Sequence, residues 1–306
     1  KYKRNAQTVM DRYSDVVNDL ELRDADSRAT ARRTLLILQD RAENLICKED
    51  YPLKQETLEF SINTTLTWTG TEFVVVWQDE REGIFDIFGQ RLSLDGGKIG
   101  GNVKMTQAFN AANEGPQVAA GLTTIGMAWS AGNPSKRFVN FQVFKPDLTP
   151  HISPISLTNG STQAVSPTIA WNSGQYIIVW YDKTANPKSI YGAVADESGA
   201  ILVPPKALTQ PGQFRSRYPS VKTLGDRVLI VYADDRDQND GYELYTLMLD
   251  QQLTPMSEER RVTFAKRDSI NPIAAFGPDG NVGILFRDDR DGNQHVWFTR
   301  LGCVVP

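Results

Sequence analysis

The chain has 306 residues, 40% of them hydrophobic, a formal net charge of −4 and a pI near 5.4. That length suits one large domain with an appendage. The acidic balance argues against a nucleic-acid binder, and no apolar run reaches the about 18 residues a membrane-spanning helix needs.

Taken in chain order, residues 1–47 read as two helices. The first places Val9, Met10, Tyr13, Val16, Val17 and Leu20 on one stripe, and the second carries Leu35, Leu36, Leu38, Ala42, Leu45 and Ile46. Asp24-Ala25-Asp26-Ser27 is the turn between them. The pair is expected to form a helical hairpin, packed on itself or offered to a partner. The chain starts at Lys1, which reads as a trimmed or mature form; the removed part could have held a secretion signal or a lipidated cysteine.

The domain expected over residues 48–306 is built from one element written five times. An apolar run closes on an aromatic at Trp77, Trp129, Trp180, Tyr232 and Phe286, with spacings of 52, 51, 52 and 54 residues. A proline keeps step 13 or 14 residues earlier, at Pro116, Pro167, Pro219 and Pro272. An apolar residue followed by threonine keeps step as well: Met105-Thr106, Leu157-Thr158, Leu208-Thr209 and Val262-Thr263. A period of this size marks a stacked or circular array of one supersecondary unit. The third repeat shows the unit: an extended 166–171, a turn at Asn172-Ser173-Gly174, a buried run at 175–180, a polar loop, a strand at 189–195 and a last strand reaching Thr209. Four antiparallel strands joined by turn residues make one propeller blade. The fold class expected is an all-β propeller of five four-stranded blades, with six as the alternative.

The last repeat supplies three strands and then the chain ends. Residues 52–60 are expected to provide its fourth strand and close the ring, removing two raw sheet edges. Cys47 and Cys303 flank this joint, so a disulfide between them is expected. So long a loop gives about 4–5 kcal/mol in chain-entropy models and implies an oxidising compartment. The location expected is extracytoplasmic: periplasmic, outer-membrane-associated or secreted.

A polar patch follows the anchor aromatic: Asp79-Glu80-Arg81-Glu82-Gly83, Asp234-Asp235-Arg236-Asp237 and Asp288-Asp289-Arg290-Asp291-Gly292-Asn293. These loops share a face with the connections between blades, such as Asn113-Glu114-Gly115 and Arg215-Ser216-Arg217. A recurring blade makes such turn-capping pairs recur for structural reasons alone. As a binding face the candidates are Arg81, Arg217, Arg236 and Arg290 with Asp79, Asp234 and Asp288, since arginine is enriched at binding hot spots. Asp288, Asp291 and Asn293 are the best candidate set for calcium, which wants six to eight oxygens, although they lack the alternating Asp-x-Asp-x-Asp-Gly spacing.

Phe276-Gly277-Pro278-Asp279-Gly280-Asn281, Ile284-Leu285-Phe286, Asp288 to Asn293 and Val296-Trp297 resemble the repeat of TolB-type propellers of the bacterial envelope. TGTEFVVVWQDEREG with IFGQRLSLDG resembles repeats of bacterial cell-surface proteins. The resemblance implies an envelope protein that offers its loops and channel mouth to a protein partner. The repeat here is longer than in TolB, the blades are fewer and the N-terminal part is helical, so partner identity does not carry over.

An enzyme is the competing reading. Five-bladed propellers include furanosidases, and glycoside cleavage needs two carboxyl groups about 5–9.5 Å apart. At the starts of the innermost strands stand Asn63, Glu114, Ser166, Arg217 and Asp268. Glu114 and Asp268 are the only acids among them, on blades that do not adjoin. His151 and His295 stand alone, and no Ser-His or metal-His cluster is visible. Phe109, Phe214 and Phe264 recur between blades, as a carbohydrate-binding lectin would require. The expectation from sequence is a non-catalytic scaffold that binds a protein partner at the cell envelope, without a cofactor, with a lectin-like propeller or a glycoside hydrolase as the alternative.

Overall fold

The computed structural model describes residues 53, 61–107, 111–158, 163–184, 189–209, 214–237, 241–277 and 280–302. The expected helices in 1–47, the closure strand 52–60 apart from Leu53, Phe109 and both cysteines lie outside them.

Among the described residues there is no helix, and the strands form five antiparallel sheets. The first blade is β1 (Ser61–Trp68), β2 (Phe73–Asp79), β3 (Asp86–Leu92) and β4 (Lys98–Lys104). The second is β5 (Ala112–Ala120), β6 (Ile125–Asn133), β7 (Lys136–Phe144) and β8 (Ile155–Ser156). The third is β9 (Ala164–Asn172), β10 (Gln175–Asp182), β11 (Ser189–Asp196) and β12 (Ile201–Ala207). The fourth is β13 (Ser216–Leu224), β14 (Arg227–Asp234), β15 (Glu243–Leu249) and β16 (Arg260–Arg261). The fifth shows β17 (Ser269–Phe276), β18 (Val282–Asp288) and β19 (His295–Leu301). Strands pair in chain order within each sheet, and the first strands neighbour one another from β1 through β5, β9 and β13 to β17. The fold is a five-bladed propeller, and the six-blade alternative falls.

Each sequence marker has a physical cause. The continuous apolar runs are second strands buried on both faces. In β10, Tyr176, Ile178 and Trp180 pack with Phe141 and Val143 of the second blade. Ile177, Val179 and Tyr181 pack with Val221, Ile230 and Tyr232 of the fourth. Alternate side chains thus serve successive interfaces, each worth about 1.5–3 kcal/mol when fully buried. The threonine marker locks the third strand. Thr106, Thr158, Thr209 and Thr263 accept the backbone N–H of Ile87, Val139, Ile190 and Leu244 on their Oγ1 at 2.9, 3.0, 3.1 and 2.8 Å. The residue before each threonine donates its own N–H to the carbonyl of that same third-strand residue.

The proline marker lies on a bulge. Every first strand shifts register once, at Ile62/Thr65, Glu114/Gln117, Arg217/Ser220 and Ile270/Ile273, and in β9 opposite Val179/Tyr181. At each bulge one residue is left-handed: Asn63, Gly115, Ser166, Tyr218 and Asn271, with φ of 53, 58, 50, 51 and 54°. A proline follows in four of the five, at a place where a missing N–H costs no ladder bond. The extra residue breaks the alternation expected of a strand. The stretches around Glu114 and Arg217, expected as connecting loops, therefore belong to β5 and β13.

The fifth sheet has β19 at its edge, and Ile273, Leu285, Val296 and Phe298 are exposed on it. Closure by 52–60 with a Cys47–Cys303 bond remains a proposal. Its expected outcome is no free thiol in denatured, unreduced protein; two free thiols remove the disulfide.

Candidate functional site

The first strands begin on the face that carries the loops between second and third strands. What the recurring Asp-x-Arg does there follows from its contacts. The carboxylate of Asp79, fully buried, accepts Ser61 Oγ at 2.8 Å, Trp77 Nε1 at 2.9 Å, and the backbone N–H and Nε of Arg81, both at 2.9 Å. Asp234 accepts Ser216 Oγ at 2.6 Å and Arg236 Nε at 2.8 Å. Asp288 accepts Ser269 Oγ at 2.7 Å, Arg290 Nε at 2.8 Å and Arg290 Nη2 at 2.7 Å. The same arginines lie over the rings of Phe88, Tyr245 and Trp297 at 4.0, 4.2 and 4.2 Å. Arg81, Arg236 and Arg290 are thus committed within their own blades, tying the start of the first strand to the end of the second.

Burial pushes the Asp79 and Asp288 carboxyls up, but hydrogen bonds outweigh it and hold both below the usual range; Arg81, Trp77 and Ser61 do so for Asp79, and Arg290 and Ser269 for Asp288. A depressed carboxyl contributes stability that is complete above its unfolded pKa of about 3.9 and is lost as pH falls through the folded value. Asp288→Asn is therefore expected to lower the melting temperature at pH 7 and to flatten its fall between about pH 4 and pH 2. Thermal melts across that range check this, and an unchanged acid slope would contradict it.

Asp288 is thus fully engaged by protein groups, while Asp291 and Asn293 are exposed. Among the described residues no three metal-ligating side chains come together. His151 and His295 are exposed on separate elements. Phe264 is exposed beneath Arg261 at 4.6 Å, and Phe214 lies under Arg236 at 6.0 Å.

The bulges build a different arrangement. Gln78, just after its anchor aromatic, bridges two of them, its Oε1 accepting Asn63 Nδ2 at 2.7 Å and the backbone N–H of Gly115 at 2.8 Å. Tyr181 holds the corresponding place in the third blade. Its ring meets Tyr218 edge-on at 5.5 Å, and its hydroxyl lies beside Ser166. Burial pushes the Tyr181 hydroxyl up to about 12, with Tyr218 adding to the rise, so it stays protonated at neutral pH and offers a hydrogen bond. Arg217 lies over the Tyr242 ring at 4.7 Å, and Tyr242 donates its backbone N–H to Asp268 Oδ1 at 2.9 Å. Glu114 forms an ion pair with Arg137. Both acids considered from sequence are therefore on this face, at the starts of β5 and β17. Tyr181 is not legible as a site residue because a tyrosine on an anchor strand reads as core, and nothing local marks Tyr218 on β13 or Tyr242 just before β15.

No protein-family profile and no curated protein sequence matches the chain. Solved structures do. An endo-arabinase from Bacteroides thetaiotaomicron VPI-5482 is 12% identical, with a TM-score of 0.50 over 76% of this chain and 90% of that one. An N-acetylgalactosamine deacetylase from F. plautii, solved with blood group B trisaccharide, is 9% identical, with a TM-score of 0.50 over 80% and 90%. A thermostable family-43 glycoside hydrolase is 12% identical, with a TM-score of 0.48 over 80% and 90%. Likeness at these identities is likeness of fold.

Two expectations are corrected. The solved structures that share the fold include an endo-arabinase and an N-acetylgalactosamine deacetylase, and the resemblance to TolB-like proteins is not upheld. The Asp-Asp-Arg-Asp-Gly-Asn stretch that suggested TolB is accounted for by the turn pairing around Asp288. The reading as a non-catalytic, non-enzymatic scaffold is overturned by the same finding, which favours the carbohydrate-acting alternative. Glu114 and Asp268 stand on blades that do not adjoin, but blade order carries no information about how side chains converge on one mouth.

Proposed function

We propose that this propeller takes a glycan at the mouth formed by the starts of its first strands and hydrolyses a glycosidic bond there. The observation that carries the reading is the composition of that mouth. Glu114 and Asp268 stand at two strand starts, with hydroxyl and guanidinium donors from Ser166, Tyr181, Tyr218 and Arg217 between them. Glycoside cleavage needs one carboxyl to protonate the leaving oxygen and a second to meet the sugar carbon directly or through water. The proposed pair is Glu114 and Asp268. Tyrosine rings suit the apolar faces of sugars, and their hydroxyls suit the rim. The fold shared with an endo-arabinase supports this choice of chemistry. An extracytoplasmic location is part of the proposal and goes with the Cys47–Cys303 bond.

A second reading has its own support. Arg137 occupies Glu114 and the Tyr242 amide occupies Asp268. A mouth whose acids are already engaged could recognise a glycan without cleaving it. Incubation with arabinan, xylan and pectic oligosaccharides, followed by separation of products, decides between them. New reducing ends that disappear in Glu114→Gln or Asp268→Asn establish the hydrolase. Retention of a glycan without products leaves the lectin-like reading.

A further inference from the structure

Resting on the reading of the mouth as a glycan site, we propose that the cluster around Arg217 is a subsite for an acidic sugar, a uronate unit whose carboxylate pairs with the Arg217 guanidinium. The inference starts from an imbalance. Arg81, Arg137, Arg215, Arg236 and Arg290 each hold a carboxylate. Arg217 holds none among the described residues, and its Nε is buried without a partner. A planar guanidinium is the side chain best matched to a carboxylate, which it meets with two parallel hydrogen bonds. Burying one of its donors unsatisfied disfavours the folded state, a cost that an acceptor arriving from outside would relieve.

The surroundings hold that fork in place. Arg217 is fixed over the Tyr242 ring at 4.7 Å. The Tyr242 hydroxyl is itself buried without a hydrogen-bond partner. Two polar atoms on stacked side chains are thus without a partner among the described residues, and both suit an oxygen-rich ligand.

Backbone strain points to the same spot. Tyr218 is left-handed at φ 51°, whereas the other bulges use Asn63, Gly115, Ser166 and Asn271. Small and polar residues tolerate that conformation, and a bulky aromatic there is an outlier. Strain of this kind persists where a side chain is needed in one place. The Tyr218 ring is edge-on to Tyr181 at 5.5 Å, packs against the cores on both sides of its blade and stays partly exposed beside the arginine in sequence. Asp268, which accepts the Tyr242 amide, borders this subsite.

The test uses calorimetry on the full chain with oligogalacturonate and oligoglucuronate, each against its carboxyl-reduced counterpart. The unmodified form of at least one is expected to bind about ten- to a hundred-fold more tightly than the reduced one, with affinity falling as salt rises. Arg217→Gln should erase that preference, and Arg217→Lys should restore only part of it. Tyr218→Asn, which the left-handed backbone tolerates, should weaken binding while the chain stays folded, which a purely structural tyrosine would not do. Equal binding of the two forms overturns the uronate subsite, as does a preference that survives Arg217→Gln. Cleavage of neutral oligosaccharides by the unsubstituted chain then reports on the hydrolase reading separately, because a neutral sugar carries no carboxylate for this subsite to select.

Discussion

Asp268→Asn and Glu114→Gln are each expected to lower glycoside turnover by about 10²–10⁴-fold while the protein stays folded. Each substitution keeps the shape of the side chain and removes its capacity to exchange a proton or attack carbon. The contacts around them make the comparison clean. The Tyr242 N–H donates to Asp268 Oδ1, a bond that an asparagine oxygen also accepts. In Glu114→Gln the partner Arg137 loses its counter-charge, so the substitution is expected to cost up to about 1 kcal/mol of stability, as for a partly exposed ion pair. Melting curves run beside the assays separate that loss from lost chemistry. Turnover that persists in both variants at more than about a tenth of the parent rate places the catalytic carboxyls elsewhere.

Trp180→Ala is expected to destabilise the domain by about 3–5 kcal/mol, as for other fully buried tryptophans. Trp180 is 1% exposed and sits in the core between the second and third blades. Its ring stacks on Tyr191 at 6.3 Å. Removing it empties an interface that two sheets share, so unfolding should begin between those blades. Chemical denaturation measures the loss. A cost below about 1 kcal/mol would mean that the anchor aromatics do not carry the interfaces.

These interfaces were the legible part of the sequence. The apolar runs, the threonines and the prolines recur because they do the same physical work in every blade: filling an interface, locking a third strand, following a bulge. Strand positions in the third repeat follow directly from them, with Gln175–Asp182 extending the expected 175–180 by two residues. The mouth was harder to read. The left-handed residues at the bulges shift the register within each first strand, so Glu114 and Arg217 looked like loop residues. Arg81, Arg217, Arg236 and Arg290 looked equivalent in sequence. Contacts separate them, since three are tied to Asp79, Asp234 and Asp288 and Arg217 is not. Tyr181 and Tyr242 carry no local signal at all, because what makes them site residues is the neighbouring blade.

The central claim is that a glycan occupies the face where the first strands begin. A crystal structure of Asp268→Asn soaked with a pectic or arabinan oligosaccharide tests it most directly. Sugar density is expected against Tyr218 and Arg217, within reach of Glu114 and residue 268. Density confined to the opposite face, by the turns at Asp95-Gly96-Gly97 and Asp196-Glu197-Ser198-Gly199, would contradict it.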